Sequence, residues 1–79
     1  MANVKIYTTP VCVYCKMAKE FFAKNNIPYQ ELNVIDDDAA REEMIQKSHQ
    51  LGVPVIDVDG EIFIGFDKAG IMRALKIGS

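Results

Sequence analysis

Two thiols stand three positions apart in the stretch Cys12-Val13-Tyr14-Cys15. That spacing suits dithiol–disulfide exchange, and it also suits capture of a soft metal ion. For exchange, one sulfur must react as a thiolate and the other must lie within reach of it. Residues three apart on a helix are neighbours, so a helix opening at this motif brings the pair together. The first turn of such a helix leaves N–H groups without partners, and its dipole favours negative charge. A thiolate on Cys12 is stabilised there and gains reactivity near neutral pH. Cys15 can then attack a mixed disulfide on Cys12 and release the bound molecule as a thiol.

The flanking sequence supplies that setting. Val4-Lys5-Ile6-Tyr7-Thr8 is rich in residues that favour strands, and Thr9-Pro10-Val11 ends it, because proline cannot donate to a ladder. A helical pattern runs from Val13 to Asn25, with Tyr14, Met17, Ala18, Phe21 and Phe22 on one face. Lys16, Lys19, Glu20 and Lys24 take the other face, and Lys16–Glu20 and Glu20–Lys24 stand at i,i+4 spacing. Lys16 is the cation nearest the thiols in this reading. Asn25-Asn26 and Ile27-Pro28 stop the helix, and Tyr29 to Val34 reads as an imperfectly alternating edge strand.

Other candidate groups are better explained structurally. Asp36-Asp37-Asp38 lacks the spaced oxygens and glycine turn of a calcium loop; it suits the start of a second helix, Asp38 to Ser48. There Ala40, Met44 and Ile45 face the core, while Arg41, Glu42, Glu43, Gln46 and Lys47 stay wet. His49, the single histidine, falls in the loop Ser48-His49-Gln50-Leu51-Gly52 and reads as solvated. Val53 to Val58 is a third strand headed by Pro54; its place after Gly52 leaves a cis proline open, but on this stretch alone it reads as a proline that opens a strand. Asp59-Gly60 is a two-residue hairpin signal, and Glu61 to Ile64 returns from it. Asp67 is a good N-cap for a last helix, Lys68 to Ile77, with Ile71, Met72 and Leu75 inward and Gly78 as its stop.

The order is β-α-β-α-β-β-α: an α/β chain with a four-stranded mixed sheet flanked by three helices. The first β-α-β is expected to be a right-handed parallel crossover, and the last two strands an antiparallel hairpin. Seventy-nine residues make one domain over 1–79 with a small core. Two cysteines this close in sequence cannot brace a fold, and no stretch is apolar enough for a signal peptide or a membrane span. A soluble, monomeric protein of the reducing cytoplasm is expected. A formal charge of −2 with scattered lysines and no basic run argues against a nucleic-acid binder.

With these residues in place, the chain resembles the glutaredoxins, and more broadly the thioredoxin fold, from Val4 to about Ile77. Cys12-Val13-Tyr14-Cys15 after the first strand, Gly52-Val53-Pro54-Val55 before the third and Gly65-Phe66-Asp67 after the fourth carry the resemblance. The resemblance implies a thiol–disulfide oxidoreductase of cell redox homeostasis and electron transport, acting on protein disulfides or glutathione mixed disulfides. Cys12 would be the nucleophile and Cys15 the resolving thiol. Pro54 would be a cis proline facing them, and the Val53 backbone would pair with bound peptide or glutathione. Gly65, Phe66 and Asp67 would border the γ-glutamyl end of glutathione, and Tyr14 would flank the thiols. No bound metal or organic cofactor is implied; glutathione would be a co-substrate.

The chain also departs from the commonest glutaredoxin pattern. Val13 replaces a proline, Thr8 to Val11 replace a segment that often carries lysine, and Phe66 replaces the second glycine of a pair. The Gly-Phe pair is similar to small redoxins that serve ribonucleotide reductase, so the electron donor implied is either glutathione or thioredoxin reductase. Two other uses of the same cysteines are a soft-metal carrier and a [2Fe–2S] cluster bridged between two chains. Against the carrier stand Val11, where such carriers have Met-x-Cys, and an element order that differs from theirs.

Overall fold

The computed structural model describes residues 3–50 and 52–76. The sheet is built around β1 (Val4–Thr8), in which every residue except Lys5 is buried. An apolar run buried on both faces belongs in the middle of a sheet. β1 pairs in parallel with β2 (Gln30–Asn33) and antiparallel with β3 (Val55–Val58), which pairs antiparallel with β4 (Glu61–Ile64). The strand order is β2-β1-β3-β4, so β2 is an edge strand, as expected from its imperfect alternation.

Three helices complete the expected order: α1 (Val13–Lys24), α2 (Asp38–Ser48) and α3 (Lys68–Leu75). Their starts follow from side-chain oxygens or sulfur that accept orphan N–H groups. Asp37 Oδ1 accepts from the Ala40 N–H at 3.1 Å, and Asp67 Oδ1 from the Gly70 N–H at 3.1 Å. α2 ends on His49 and α3 on Lys76, both in the left-handed region. Asp59 and Gly60 both take positive φ, 52° and 94°, as a tight turn matched to strand twist demands.

Alternation along the strands divides the core. Val4, Ile6, Ile56, Val58 and Phe63 point to one face, where Ala18 and Phe22 of α1 and Ile71 of α3 cover them. Tyr7 and Val55 point to the other, under Val34 and the α2 residues Ala40 and Met44. Burying Phe22 fully is worth about 1.5–3 kcal/mol, and it fixes which face α1 turns inward.

Several expectations change. The buried line of α1 is Cys15, Ala18 and Phe22; Tyr14 and Met17 are exposed, because Cys15 takes the inward place. The pairs Lys16–Glu20 and Glu20–Lys24 do not close to ion pairs among the described residues. Ile45, Met72 and Leu75 are half-buried. β2 is shorter than Tyr29–Val34, and β3 starts at Val55, where its pairing with β1 and β4 begins. Leu51, Ile77 and Gly78 lie outside the described residues, and α3 is seen to end at Leu75.

Glu43 and Lys47 are not simply solvated. Asp57 sits inside the fully buried strand β3, on the face beneath α2, and a carboxylate there needs a partner. Lys47 Nζ donates to Asp57 Oδ2 at 2.7 Å and to the Tyr7 hydroxyl at 3.1 Å, and that hydroxyl donates to Glu43 Oε1. Asp57 Oδ1 accepts from the Gly60 N–H at 2.7 Å, which ties the hairpin to the same group. Burial opposes the charge on Lys47, but its bonds to Asp57 and Tyr7 outweigh that and raise its pKa. Burial, helped by Glu43, pushes the Tyr7 hydroxyl up, and the Tyr7 bond leads the effects that hold Glu43 below the ordinary carboxylate range.

Lys47→Ala leaves Asp57 buried and short of a donor, so it should cost about 1–3 kcal/mol in urea unfolding, whereas Arg41→Ala on the wet face should stay within about 0.5 kcal/mol. Glu43 has a depressed folded-state value. Its contribution is therefore present above the unfolded value, about 4.3, and lost as pH falls through the folded one. The melting temperature of Glu43→Gln should fall less steeply than that of the parent below about pH 4.5.

Candidate active site

β1 ends at Thr8, and the turn Thr9-Pro10-Val11 carries the chain to α1. The Cys12 N–H donates back to the Thr9 carbonyl at 3.4 Å, so the turn closes on itself. Cys12 is the N-cap of α1, with extended backbone at φ −90° and ψ 113°. Its Sγ accepts the Cys15 N–H at 3.2 Å, which is the bond a capping serine or aspartate oxygen would make. The sulfur thus takes an orphan amide at the N-terminal end of the helix.

The two sulfurs live in different surroundings. Cys12 is half-buried, whereas Cys15 is 1% exposed; both are free thiols. Burial pushes the Cys15 thiol up to about 12, and a hydrogen bond toward Cys12 adds to the rise. Cys15 therefore holds its proton at neutral pH. An accessible sulfur with an amide donor stands beside a buried, protonated one.

A cleft beside Cys12 is lined by Thr9 to Val13 with Lys16 and Lys19. Lys19 was placed on the wet face by sequence, yet it is pinned here. Its Nζ donates to Glu31 Oε2 at 2.8 Å, and the Thr8 hydroxyl donates to the same oxygen at 3.1 Å. Glu31 holds the Lys19 ammonium above its ordinary value, and Lys19 leads the effects that hold Glu31 below its own. The readable signal was position: Lys19 is one helical turn beyond Lys16, on the same side.

The strand register gathers the other expected residues at the same end of the sheet. Tyr7 pairs with Val55 and Val55 with Ile64, so the residues leading to Cys12, Pro54 and Gly65 all leave the sheet together. The Gly65 N–H donates to the Pro54 carbonyl at 2.8 Å. The Val53–Pro54 peptide bond is cis, the alternative to the strand-opening reading that its stretch left open and that the resemblance implied. Gly65 takes φ 78°, a conformation suited to glycine, and delivers Phe66 onto Phe21 with ring centres 5.7 Å apart. Tyr14 is exposed beside the thiols. The Asp67 carboxylate caps α3, and that N-terminus opens from the same end of the sheet.

The remaining candidates serve the fold. Asp37 caps α2, Asp36 accepts from Asn33 Nδ2 at 3.3 Å, and His49 is exposed at the end of α2. Among the described residues, no three His, Cys, Asp or Glu side chains converge as a metal site, and no helix is long and apolar enough to cross a membrane.

A mixed four-stranded sheet with paired thiols at the start of its first helix defines a thioredoxin-fold protein. Solved structures agree. A variant of the thioredoxin-like protein BC3987 superposes with a TM-score of 0.91 at 32% identity, covering 99% of this chain and 100% of that one. The glutaredoxin-like protein NrdH-redoxin from Escherichia coli shares the fold, with a TM-score of 0.80 at 24% identity over 90% of this chain and 92% of that one. The glutaredoxin family model matches residues 4–64. A glutaredoxin-like 8.6 kDa protein of the rubredoxin operon of Clostridium pasteurianum is 48% identical over 73 residues, which is 92% of this chain and 97% of that protein. Glutaredoxin 3 of Escherichia coli K12 is 42% identical over 67 residues, covering 85% of this chain and 81% of its own. The chain belongs to the glutaredoxin family and is a redox protein of that family.

The contrast between the sulfurs has a direct consequence. At pH 7, iodoacetamide should label Cys12 and leave Cys15 unmodified until denaturant is added, as read by peptide mass spectrometry. Equal labelling of both in the folded protein would contradict the burial of Cys15.

Proposed function

We propose that this chain is a dithiol oxidoreductase that reduces disulfides of proteins, or mixed disulfides with glutathione, through Cys12 and Cys15. The observation that carries the reading is the contrast at the head of α1: an accessible Cys12 sulfur accepting the Cys15 N–H, and a Cys15 thiol buried and held protonated. The Cys12 thiolate attacks one sulfur of the substrate disulfide; a new S–S bond forms and the other substrate sulfur leaves as a thiolate. Cys15 gives up its proton as its sulfur attacks Cys12. The Cys12–Cys15 disulfide forms, and the second substrate thiol is released. Two electrons have passed from the protein to the substrate, and an external thiol or reductase must return them.

Val53, Pro54, Tyr14, Gly65, Phe66 and Asp67 border the substrate in this reading, because the register brings their segments to the end of the sheet where Cys12 lies. Phe66 and the lysine-free segment Thr8 to Val11 favour a donor that docks as a protein, such as thioredoxin reductase. The Lys16 and Lys19 cleft leaves room for the carboxylate of glutathione.

Cys12→Ser should abolish reduction of an insulin-type protein disulfide. Cys15→Ser should stop at a mixed disulfide on Cys12, visible as a stable mass adduct. Full activity of Cys12→Ser would refute the assignment. Supplying NADPH through glutathione and glutathione reductase in one assay, and through thioredoxin reductase in a second, separates the donors.

A further inference from the structure

Helix α1 carries apolar surface that it does not bury. Val13, Tyr14 and Met17 are 69%, 63% and 45% exposed. Val13, Met17 and Phe21 follow one another at i,i+4 spacing, so they form a stripe that starts beside Cys12 and runs down the helix. The stripe ends in a groove between α1 and the start of α3, lined by Met17, Glu20, Phe21, Lys24, Phe66 and Lys68. Phe21 and Phe66 make its floor, and the Lys68 ammonium sits 5.7 Å from the centre of the Phe21 ring.

The charge around this groove runs against that of the molecule. The chain carries 9 cationic and 11 acidic side chains. Yet Lys24 and Lys68 border the groove against the single carboxylate of Glu20, and neither lysine is in an ion pair among the described residues. An apolar floor between two unneutralised ammonium groups complements a large apolar side chain flanked by carboxylates.

Distance decides what can bring such a group there. Phe21 lies nine residues along from Cys12. At about 1.5 Å of rise per residue that is about 14 Å. Glutathione has one residue on each side of its cysteine; its γ-linked glutamyl arm, roughly 7 Å long, borders Phe66 at the near end of the groove but does not span it to Phe21. An extended polypeptide advances about 3.3 Å per residue and arrives after about four residues.

The geometry points to this groove as a docking site for an acidic, apolar segment of the partner protein, with a large apolar side chain about four residues from the cysteine that Cys12 attacks. This inference rests on the dithiol reading above and assigns that site a substrate class. The apolar side chain lies on Met17, Phe21 and Phe66. Its neighbouring carboxylates face Lys24 and Lys68, while the partner's cysteine reaches Cys12. The contribution falls with salt, because the lysines are open to solvent.

The test is single-turnover oxidation of the pre-reduced protein by symmetrical peptide disulfides, quenched, alkylated and read by mass. The probes are disulfides of Cys-Ser-Gly-Ser-Phe-Asp-Glu, of Cys-Ser-Gly-Ser-Phe-Lys-Lys and of Cys-Ser-Gly-Ser-Ser-Asp-Glu, with hydroxyethyl disulfide as the small reference. The Phe-Asp-Glu peptide should react about tenfold faster than the Phe-Lys-Lys peptide at low salt, a gap that narrows at about 0.5 M salt. The double variant Lys24→Glu, Lys68→Glu should lose or invert that preference while its rate with hydroxyethyl disulfide holds. Met17→Ser should slow the Phe-Asp-Glu peptide more than the Ser-Asp-Glu peptide, and this keeps the proposal open to refutation if the double variant does not fold. Equal rates for acidic and basic peptides with the parent protein, or an unaltered preference in the double variant, would overturn it. A parent dimer that dissociates in the double variant would overturn it in favour of a second copy of this chain. Failure to reduce even hydroxyethyl disulfide would refute the dithiol reading itself.

Discussion

The bond from the Cys15 N–H to Cys12 Sγ, 3.2 Å long, is the contact on which the redox reading depends. A helix start always leaves amides without partners, and most proteins satisfy one of them with oxygen. Here a sulfur does it. The substitution makes the reactive atom part of the helix cap, so its position is fixed by the same force that starts α1. The next inward position of the helix is then Cys15, whose burial follows from helical geometry once Ala18 and Phe22 face the sheet. The cap places the first thiol, and the packing of the helix buries the second and keeps it protonated.

The sheet puts that cap where chemistry can reach it. Apart from Lys5, β1 is buried and cannot shift without moving both cores, so the end of β1 is a firm anchor for the Thr9-Pro10-Val11 turn. β3 and β4 then deliver Pro54 and Gly65 to the same end, joined by the Gly65 N–H bond to the Pro54 carbonyl. On the opposite face of the sheet, Lys47, Tyr7, Glu43 and Asp57 knit α2 to β1 and β3. The molecule keeps its polar network under α2 and its thiols at the head of α1, so changes in one need not disturb the other.

Much of this was legible in the sequence. The strand before Cys12, the Asp59-Gly60 turn, the acidic start of α2 and the Asp67 cap are local signals with local causes, and each is found in place. The inward face of α1 was misread because Tyr14 and Met17 are apolar and the cysteine was not counted as core; only the sheet packing shows that Cys15 is the residue turned in. Lys47 and Glu43 were assigned to solvent because helical spacing is blind to Asp57, which is distant in sequence and sits across from them on β3. An acidic residue within the apolar run Val53 to Val58 was the one available hint that a cation must come to meet it. The cis form of Val53–Pro54 was an open alternative in its own stretch, where a proline that simply opens a strand was the preferred reading, and the resemblance implied it.

The most direct test of the account is the order in which the two sulfurs react in the unaltered protein. Reduced protein would be mixed with a peptide disulfide, quenched in acid on the millisecond scale, and digested for mass spectrometry. The account predicts that the first adduct appears on Cys12 alone and decays as the Cys12–Cys15 disulfide grows. A first adduct on Cys15, or an adduct on Cys12 that persists while Cys15 stays reduced, would contradict it.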